Sequence, residues 1–518
     1  MERDGKQNGN NQKMFSDKEN IAILTALLRE HGVGHAVVCP GSRNAAIVNN
    51  LTECLGIECF AATDERSAAF EAMGISLSTG QPTVVCVTSG SALLNTLPAV
   101  AEAWYQHVPL IVISADRPAE WIEQLDGQTI EQPGALKRWC VESVNLPEVK
   151  DEVEHWSCNW LMNKTLLMAK HHLRPVHINV PLSEPLYKFN RERLGDERVV
   201  SLRDTESLVK EFVRCEKVMI IVGQERKTPN LAKLSESAAI VAEPLGWCGI
   251  WSDGESFIEE MEEPEMVIYL GGTIVSKRVK EFLRKAKNAV QWYVSADGEI
   301  ADTFMNLRNV VFDDLNDVTH KLEEVATKRR YGKRWNEIQR GEKECNTVEE
   351  EVVRRFEMLV RDVDCNVCYA NSMAVRYACR YASHNIYCNR GVNGIEGSVS
   401  TALGIARGSG KLCICVTGDL SFFYDSNALW REHLPGKFRV IVMNNGGGKI
   451  FKRFKGLEDS DARAFVVGKH NATCKGLCES FGVDYMKVTT LGEVDEGLRW
   501  LINGDKTKIL EYEDMEKD

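Results

Sequence analysis

Residues that could do chemistry gather in two stretches towards the carboxyl end of the chain. Gly418-Asp419-Leu420-Ser421 leaves an apolar run, Leu412-Cys413-Ile414-Cys415-Val416, short enough for a buried strand. Asn444-Asn445-Gly446-Gly447 leaves a second run, Phe438 to Met443, and Asn445 follows Asp419 by 26 positions. That interval accommodates one strand-helix-strand crossover, with the helix read over Phe422 to Glu432. Both stretches then fall at the carboxyl edge of a parallel sheet, where ligands bind. An Asp carboxylate, an Asn amide oxygen and a carbonyl beside a glycine are hard oxygen donors. Magnesium takes such donors in an octahedron that phosphate oxygens and water complete. Singly, each stretch is an ordinary turn sequence. Together at strand ends they suit a divalent ion carrying a diphosphate.

A Gly-Asp followed at this distance by Asn-Asn resembles the cofactor motif of thiamine-diphosphate enzymes. Leu420 stands where that family usually has Gly, and with Ser421 after it the stretch is similar to one branch. That branch is the menaquinone-pathway synthase that joins 2-oxoglutarate to isochorismate. The resemblance implies that Asp419, Asn445 and the carbonyl of Gly447 hold Mg2+ or Mn2+. It implies that Gly418, Leu420 and Ser421 lie along thiamine diphosphate, with Ile450 and Phe451 as an apolar wall at its thiazolium ring. Gly446 and Lys449 depart from the branch, which more often has Asn and Gln there.

Glu65 is the candidate catalytic residue. It lies in Asp64-Glu65-Arg66, where a strand meets a helix. A carboxyl group in low dielectric has a raised pKa and shares a proton readily, which suits a partner for the cofactor's pyrimidine nitrogen. By position alone it reads rather as an acid favoured by the helix dipole. The resemblance assigns it the activating role, because the family keeps its Glu at this place. In that family the pyrimidine domain of one subunit faces the diphosphate domain of another. A homodimer is then the minimum and a homotetramer the alternative, with the active site at the subunit interface.

Both implied substrates are dicarboxylates, and the forked donors of arginine suit carboxylates. Arg43 (in Pro-Gly-Ser-Arg), Arg117 (in Ser-Ala-Asp-Arg-Pro) and Arg390 (in Cys-Asn-Arg-Gly) all begin loops after apolar runs, and Arg376 lies one helical turn after Ser372. By resemblance, Ser42, Arg43, Arg117 and Gln128 serve isochorismate, with Lys277 or Arg278 helping from a middle domain. Asn371, Ser372, Arg376 and Arg390 serve 2-oxoglutarate. Gly127 stands where a polar Asn is expected before Gln128.

Three successive α/β units have to position these groups. In the first, strands are read over Ala36 to Cys39, Phe60 to Thr63, Thr83 to Thr88, Leu110 to Ile113 and His177 to Pro181. Helices are read over Ser67 to Leu77 and Ala92 to Tyr105, after a first helix with Ser16 as N-cap and Glu19 closing a capping box. The alternation restarts at Val200, with strands at Val218 to Gly223, Val267 to Gly272 and Val290 to Val294 and a helix at Val275 to Ala286. A charged helical connector, Leu322 to Arg361, leads to the last unit. The reading is α/β, with three consecutive parallel-sheet domains of the thiamine-diphosphate-enzyme architecture. The expected bounds are a disordered lead-in over 1–14, a pyrimidine-binding domain over 15–190, a middle domain over 200–335 and a diphosphate-binding domain over 345–518.

A chain of 518 residues exceeds one core, and its 44% hydrophobic and 27% charged content is that of an ordinary globular protein. A net charge of −12 argues against nucleic acid, whose phosphates require a cationic surface. No apolar run is long enough to span a membrane, and the first residues lack the apolar core of a signal peptide. The 17 cysteines are odd in number and scattered, and Cys365-Asn366-Val367-Cys368 has no second close pair for a zinc site. Free thiols in a reducing cytoplasm are expected. The expected reaction is decarboxylation of 2-oxoglutarate with transfer of the succinyl carbanion to isochorismate. Another thiamine-diphosphate decarboxylase or acetolactate-type synthase, or an inactive scaffold of the same fold, are the alternatives. Neither a GxGxxG nor a GxxxxGK[ST] loop is present to support a nucleotide-binding protein.

Overall fold

The computed structural model describes residues 14–225, 228–341, 343–448, 451, 456 and 460–513. Apart from Met14, the lead-in over 1–14 lies outside these, as does Ile450. The chain divides into two compact units, up to Leu202 and from Arg203 onward.

The first unit is built on six parallel strands: β1 (His35–Val38), β2 (Glu58–Ala61), β3 (Thr83–Val87), β4 (Leu110–Asp116), β5 (Glu142–Asn145) and β6 (Val176–Pro181). Their order is β2-β1-β3-β4-β6-β5. Alternate side chains feed two cores. Val84, Cys86, Ile111 and Ile113 pack on one face, and Val85, Val87, Leu110 and Val112 on the other. Both faces are covered, so the strands read as continuous apolar runs. The helix read over Ala92 to Tyr105 is two, Ser91–Asn95 and Leu97–Gln106, because Pro98 at the first turn of the second has no N–H to continue the first. The first helix begins at Glu19 with Lys18 at its N-cap, so the capping box expected at Ser16 does not form. Ser16 instead accepts the Lys18 N–H in a tight turn.

The second unit carries two parallel sheets. The first has β7 (Val218–Val222), β8 (Ala239–Ala242), β9 (Met266–Tyr269), β10 (Val290–Ser295) and β11 (Leu307–Phe312) in the order β8-β7-β9-β10-β11. The second has β12 (Cys365–Tyr369), β13 (Ile386–Tyr387), β14 (Leu412–Gly418), β15 (Phe438–Asn444), β16 (Asp484–Val488) and β17 (Lys508–Glu513) in the order β13-β12-β14-β15-β17-β16. Cys413 and Cys415 point into the core beside Val440 and Val442, as small apolar residues.

The single connector expected over Leu322 to Arg361 is three helices instead. Leu315–Glu324 packs on the core of the β7–β11 sheet. Arg330–Ile338 buries Tyr331 and Trp335 there, and the Trp335 indole N–H donates to the Ile240 carbonyl at 2.8 Å. Val348–Val360 turns Val352, Val353, Phe356 and Val360 onto the β12–β17 sheet. The helix read over Phe422 to Glu432 is shorter, Asp419–Tyr424, followed by one 3-10 turn at Ser426–Ala428.

Candidate active site

The register of the β12–β17 sheet brings the two opening stretches together. β14 and β15 are neighbours with Gly418 opposite Met443, so Asp419 and Asn445 leave the same edge side by side. β12 flanks β14 on the other side, with Tyr369 opposite Val416, which places Asn371 and Ser372 at that edge. β13 ends just before Asn389 and Arg390.

Asp419 is 3% exposed and heads the helix Asp419–Tyr424. Its Oδ1 accepts the Leu420 N–H at 2.6 Å. Its Oδ2 accepts the N–H groups of Asn445, Gly446 and Gly447 at 3.1, 2.8 and 3.0 Å. The glycine loop can wrap a carboxylate this closely because Gly446 and Gly447 have φ of 79° and 144°. A Cβ on Gly447 would sit 2.9 Å from the Val467 carbonyl oxygen. Burial raises the Asp419 pKa, and the Leu420 N–H, His470 and the loop N–H groups oppose that rise. His470 Nδ1 accepts the Ala472 N–H at 3.1 Å, and its Nε2 lies 3.3 Å from Asp419 Oδ2.

Asn445 Oδ1 is buried and, among the described residues, has no hydrogen-bond partner, which is unusual for a side chain in a folded interior. With the Asp419 carboxylate and the Gly447 carbonyl it forms an all-oxygen donor set of the kind magnesium takes. The residues therefore fit the metal. They open on a cavity of about 180 Å³ lined also by Ile395, Gly418, Leu420, Ser421, Met443 and Phe451, which is mostly apolar beyond the oxygen donors. Ser421 Oγ donates to the Ile395 carbonyl, closing that wall.

Asn371 and Ser372 line the same cavity. Asn371 is a hub. Its Nδ2 donates to the carbonyls of Asn389 and Gly394 at 2.7 and 2.6 Å, and its Oδ1 accepts from Arg390 Nη1 at 3.2 Å. Ser372 has φ of 78°, a strained conformation of the kind found at functional sites. Arg376 sits half-buried on the helix Met373–Tyr381 that Ser372 precedes. Lys277 and Arg278 open the helix Lys277–Lys285 and are exposed, with Arg278 reaching the Glu255 carbonyl at 3.4 Å.

In the first unit the remaining candidates share one sheet edge. Glu65, Arg43 and Arg117 follow β2, β1 and β4, in a sheet ordered β2-β1-β3-β4 at that side. Glu65 is the first residue of its helix, behind the Asp64 cap that accepts the Ser67 N–H at 2.8 Å. It is half-buried rather than enclosed, and Asn95 Nδ2 donates to its Oε2 at 3.4 Å. Arg43 is buried, donates to the Leu182 carbonyl at 3.0 Å and pairs with Glu184 at 3.2 Å. Arg117 donates to the Gly127 carbonyl at 3.1 Å and pairs with Asp126 at 3.1 Å. Those bonds fold the loop 126–128 beside it, with Gln128 exposed at φ of 62°. Ser42 is exposed, and its carbonyl accepts from Tyr187 Oη at 3.3 Å.

Sequence reasoning passed over Thr347, Glu349, Tyr377 and His470. The first three line the cavity, and the fourth touches Asp419. The Thr347-x-x-Glu350 spacing is a helix-start signal that could have found Thr347, which caps the Glu350 N–H.

Two family models match the chain. One describes the N-terminal TPP-binding domain of thiamine pyrophosphate enzymes and covers residues 21–135, and the other the C-terminal TPP-binding domain and covers 367–512. Among curated relatives, 2-succinyl-5-enolpyruvyl-6-hydroxy-3-cyclohexene-1-carboxylate synthase of Phocaeicola vulgatus is 42% identical, over 98% of this chain and 97% of the relative. The protein of the same name from Bacteroides thetaiotaomicron is 41% identical over 94% and 93%. That from Flavobacterium johnsoniae is 34% identical over 92% of each chain. A solved benzoylformate decarboxylase from Polynucleobacter necessarius covers 96% of this chain at 15% identity with a TM-score of 0.47. The fold assignment rests on the parallel sheets and the two domain models rather than on that likeness.

Proposed function

Because this chain belongs to the 2-succinyl-5-enolpyruvyl-6-hydroxy-3-cyclohexene-1-carboxylate synthase family, we propose that it decarboxylates 2-oxoglutarate on thiamine diphosphate and transfers the remaining four-carbon unit to isochorismate. The products are 2-succinyl-5-enolpyruvyl-6-hydroxy-3-cyclohexene-1-carboxylate and carbon dioxide, a step of menaquinone biosynthesis. The observation that carries the reading is the buried Oδ1 of Asn445 beside Asp419, without a partner among the described residues, in the lining of a cavity with apolar walls.

When bound, thiamine diphosphate supplies a ring carbon that attacks the keto group and an electron sink for decarboxylation. The chain's part is to hold and orient. Asp419, Asn445 and the Gly447 carbonyl hold magnesium, or manganese, which accepts the same oxygens. Gly418, Leu420 and Ser421 shape the diphosphate side, and Ile450 and Phe451 the thiazolium side. Asn371, Ser372, Arg376 and Arg390 hold the carboxylates of 2-oxoglutarate, and the bond from Arg390 to Asn371 fixes that arginine before substrate arrives. Ser42, Arg43, Arg117, Gln128 and Lys277 hold isochorismate. Glu65 keeps a proton on the cofactor's pyrimidine nitrogen. Its half-buried position in one chain supports a site completed by a second copy, a homodimer or homotetramer in which the diphosphate cavity of one chain covers Glu65 of the other.

All 17 cysteines are free, consistent with a reducing cytoplasm, and among the described residues no helix is long and apolar enough to cross a membrane. The function is tested by measuring carbon dioxide released from 2-oxoglutarate and from pyruvate, each with and without isochorismate. Release from 2-oxoglutarate that rises with isochorismate is expected. Release from pyruvate that ignores isochorismate would point to a different decarboxylase.

A further inference from the structure

Among the described residues, one half of the Asn445 amide is engaged. Nδ2 donates to Oε1 of Glu349 at 3.4 Å, while Oδ1 is buried with no partner among those residues. Carboxylate oxygens accept, and it is the amino half of the amide that faces Glu349. The contact therefore holds the amide one way round and leaves the oxygen for something else. Glu349 is 4% exposed, in the first turn of the helix Val348–Val360, where the helix N-terminus favours a carboxylate. It lines the same cavity as Asp419, Asn445 and Gly447, although 96 positions separate it from Asn445.

We propose that Glu349 is a positioning residue whose carboxylate holds the Asn445 amide in the orientation that presents Oδ1 to the divalent metal. The proposal rests on the reading that Asp419, Asn445 and Gly447 hold that metal. An unrestrained amide can turn over, and its NH2 group would then point at a cation and repel it. Metal-ligand partners of this kind govern affinity without touching the ion. Positioning and plain electrostatics predict opposite signs here. A buried carboxylate beside an anionic diphosphate repels it, so if charge alone mattered, removing Glu349 would tighten cofactor binding.

The test is calorimetric titration of magnesium into the full-length protein at fixed thiamine diphosphate, with thermal melts of the cofactor-free variants as a folding control. Glu349→Ala is expected to weaken magnesium binding by about 10- to 100-fold. Glu349→Gln, whose amide can accept from Asn445 Nδ2 but, turned over, can also donate to its Oδ1, is expected to fall between wild type and Glu349→Ala. Glu349→Asp keeps the charge but withdraws it by one methylene, and is expected to weaken binding even if the Ala variant fails to fold. In an Asn445→Ala background, Glu349→Ala should add no further loss. Tighter or unchanged binding in the Ala and Asp variants, with wild type binding normally, would overturn the proposal alone. Failure of the wild type to bind thiamine diphosphate with magnesium would overturn the metal reading and this proposal with it.

Discussion

Replacing Asp419 by Ala should loosen the glycine loop before any cofactor is added. The carboxylate collects four backbone N–H groups, from Leu420, Asn445, Gly446 and Gly447. Hydrogen bonds to charged groups contribute about 1.5–3 kcal/mol each, and a buried donor left unmade loses that stabilisation. At roughly 1.4 kcal/mol per factor of ten, each freed amide should exchange its hydrogen about 10- to 150-fold faster through local opening. The assay is hydrogen exchange of cofactor-free protein, read by mass spectrometry on peptides covering 444–448. Asp419→Asn retains one acceptor oxygen and should lose less protection. Peptides from the β7–β11 sheet serve as the internal control and should not change. Unaltered protection at 445–447 in Asp419→Ala would refute the reasoning that this carboxylate organises the loop. So would a loss spread evenly over the whole second unit.

Other outcomes follow from the same physics. If each site needs Glu65 of one chain and Asp419 of another, Glu65→Gln and Asp419→Ala proteins should each be inactive. Mixing them with subunit exchange should restore about a quarter of wild-type turnover, since half the dimers are mixed and each has one intact site. No recovery after verified exchange would place both residues on one chain's site. His384 Nε2 bonds Glu357 Oε2 at 2.8 Å, and Tyr369 donates to the same carboxylate. Burial is the largest single influence and lowers the His384 pKa, but the bond to Glu357, the charge of that carboxylate and the Asn385 carbonyl together outweigh it and the net shift is upward. The folded state therefore keeps this proton to higher pH than the unfolded chain. The stabilisation is fully present below about pH 6.5 and is lost as pH rises through the folded value. Melting temperature should fall over that interval in wild type, and Glu357→Gln should flatten the slope.

The site was legible where apolar strands run straight into polar residues. Asp419 and Asn445 follow continuous runs that bury both faces of β14 and β15, so the strand ends could be read and the carboxyl edge inferred. Other elements carried weaker signals. β5 (Glu-Ser-Val-Asn) and β16 (Asp-Tyr-Met-Lys-Val) lie at sheet edges with polar residues at three of four and two of five positions, and β13 has only two residues. Glu349 was hidden by its neighbours. In Glu349-Glu350-Glu351 all three look like a solvated face. Yet the first two are buried, Glu350 against Arg380, while Glu351 meets arginines on its own helix, with bonds from Arg354 and then Arg355 holding its carboxyl down at about 2. Helical periodicity in a charged stretch does not say which carboxylate turns inward, because the sheet that receives it is distant in sequence. Half-buried Glu65 illustrates a different limit. Its position at a helix start is local information, whereas the enclosure proposed for it comes from a second copy of the chain.

The most direct test of the account is mass spectrometry of the product after incubating the protein with 2-oxoglutarate, isochorismate, thiamine diphosphate and magnesium. The account predicts a species with the mass of isochorismate plus the four-carbon unit left by 2-oxoglutarate, formed one for one with carbon dioxide. Its formation should cease when either isochorismate or the metal is withheld. Succinic semialdehyde accumulating beside unconsumed isochorismate, or no consumption of 2-oxoglutarate at all, would contradict it.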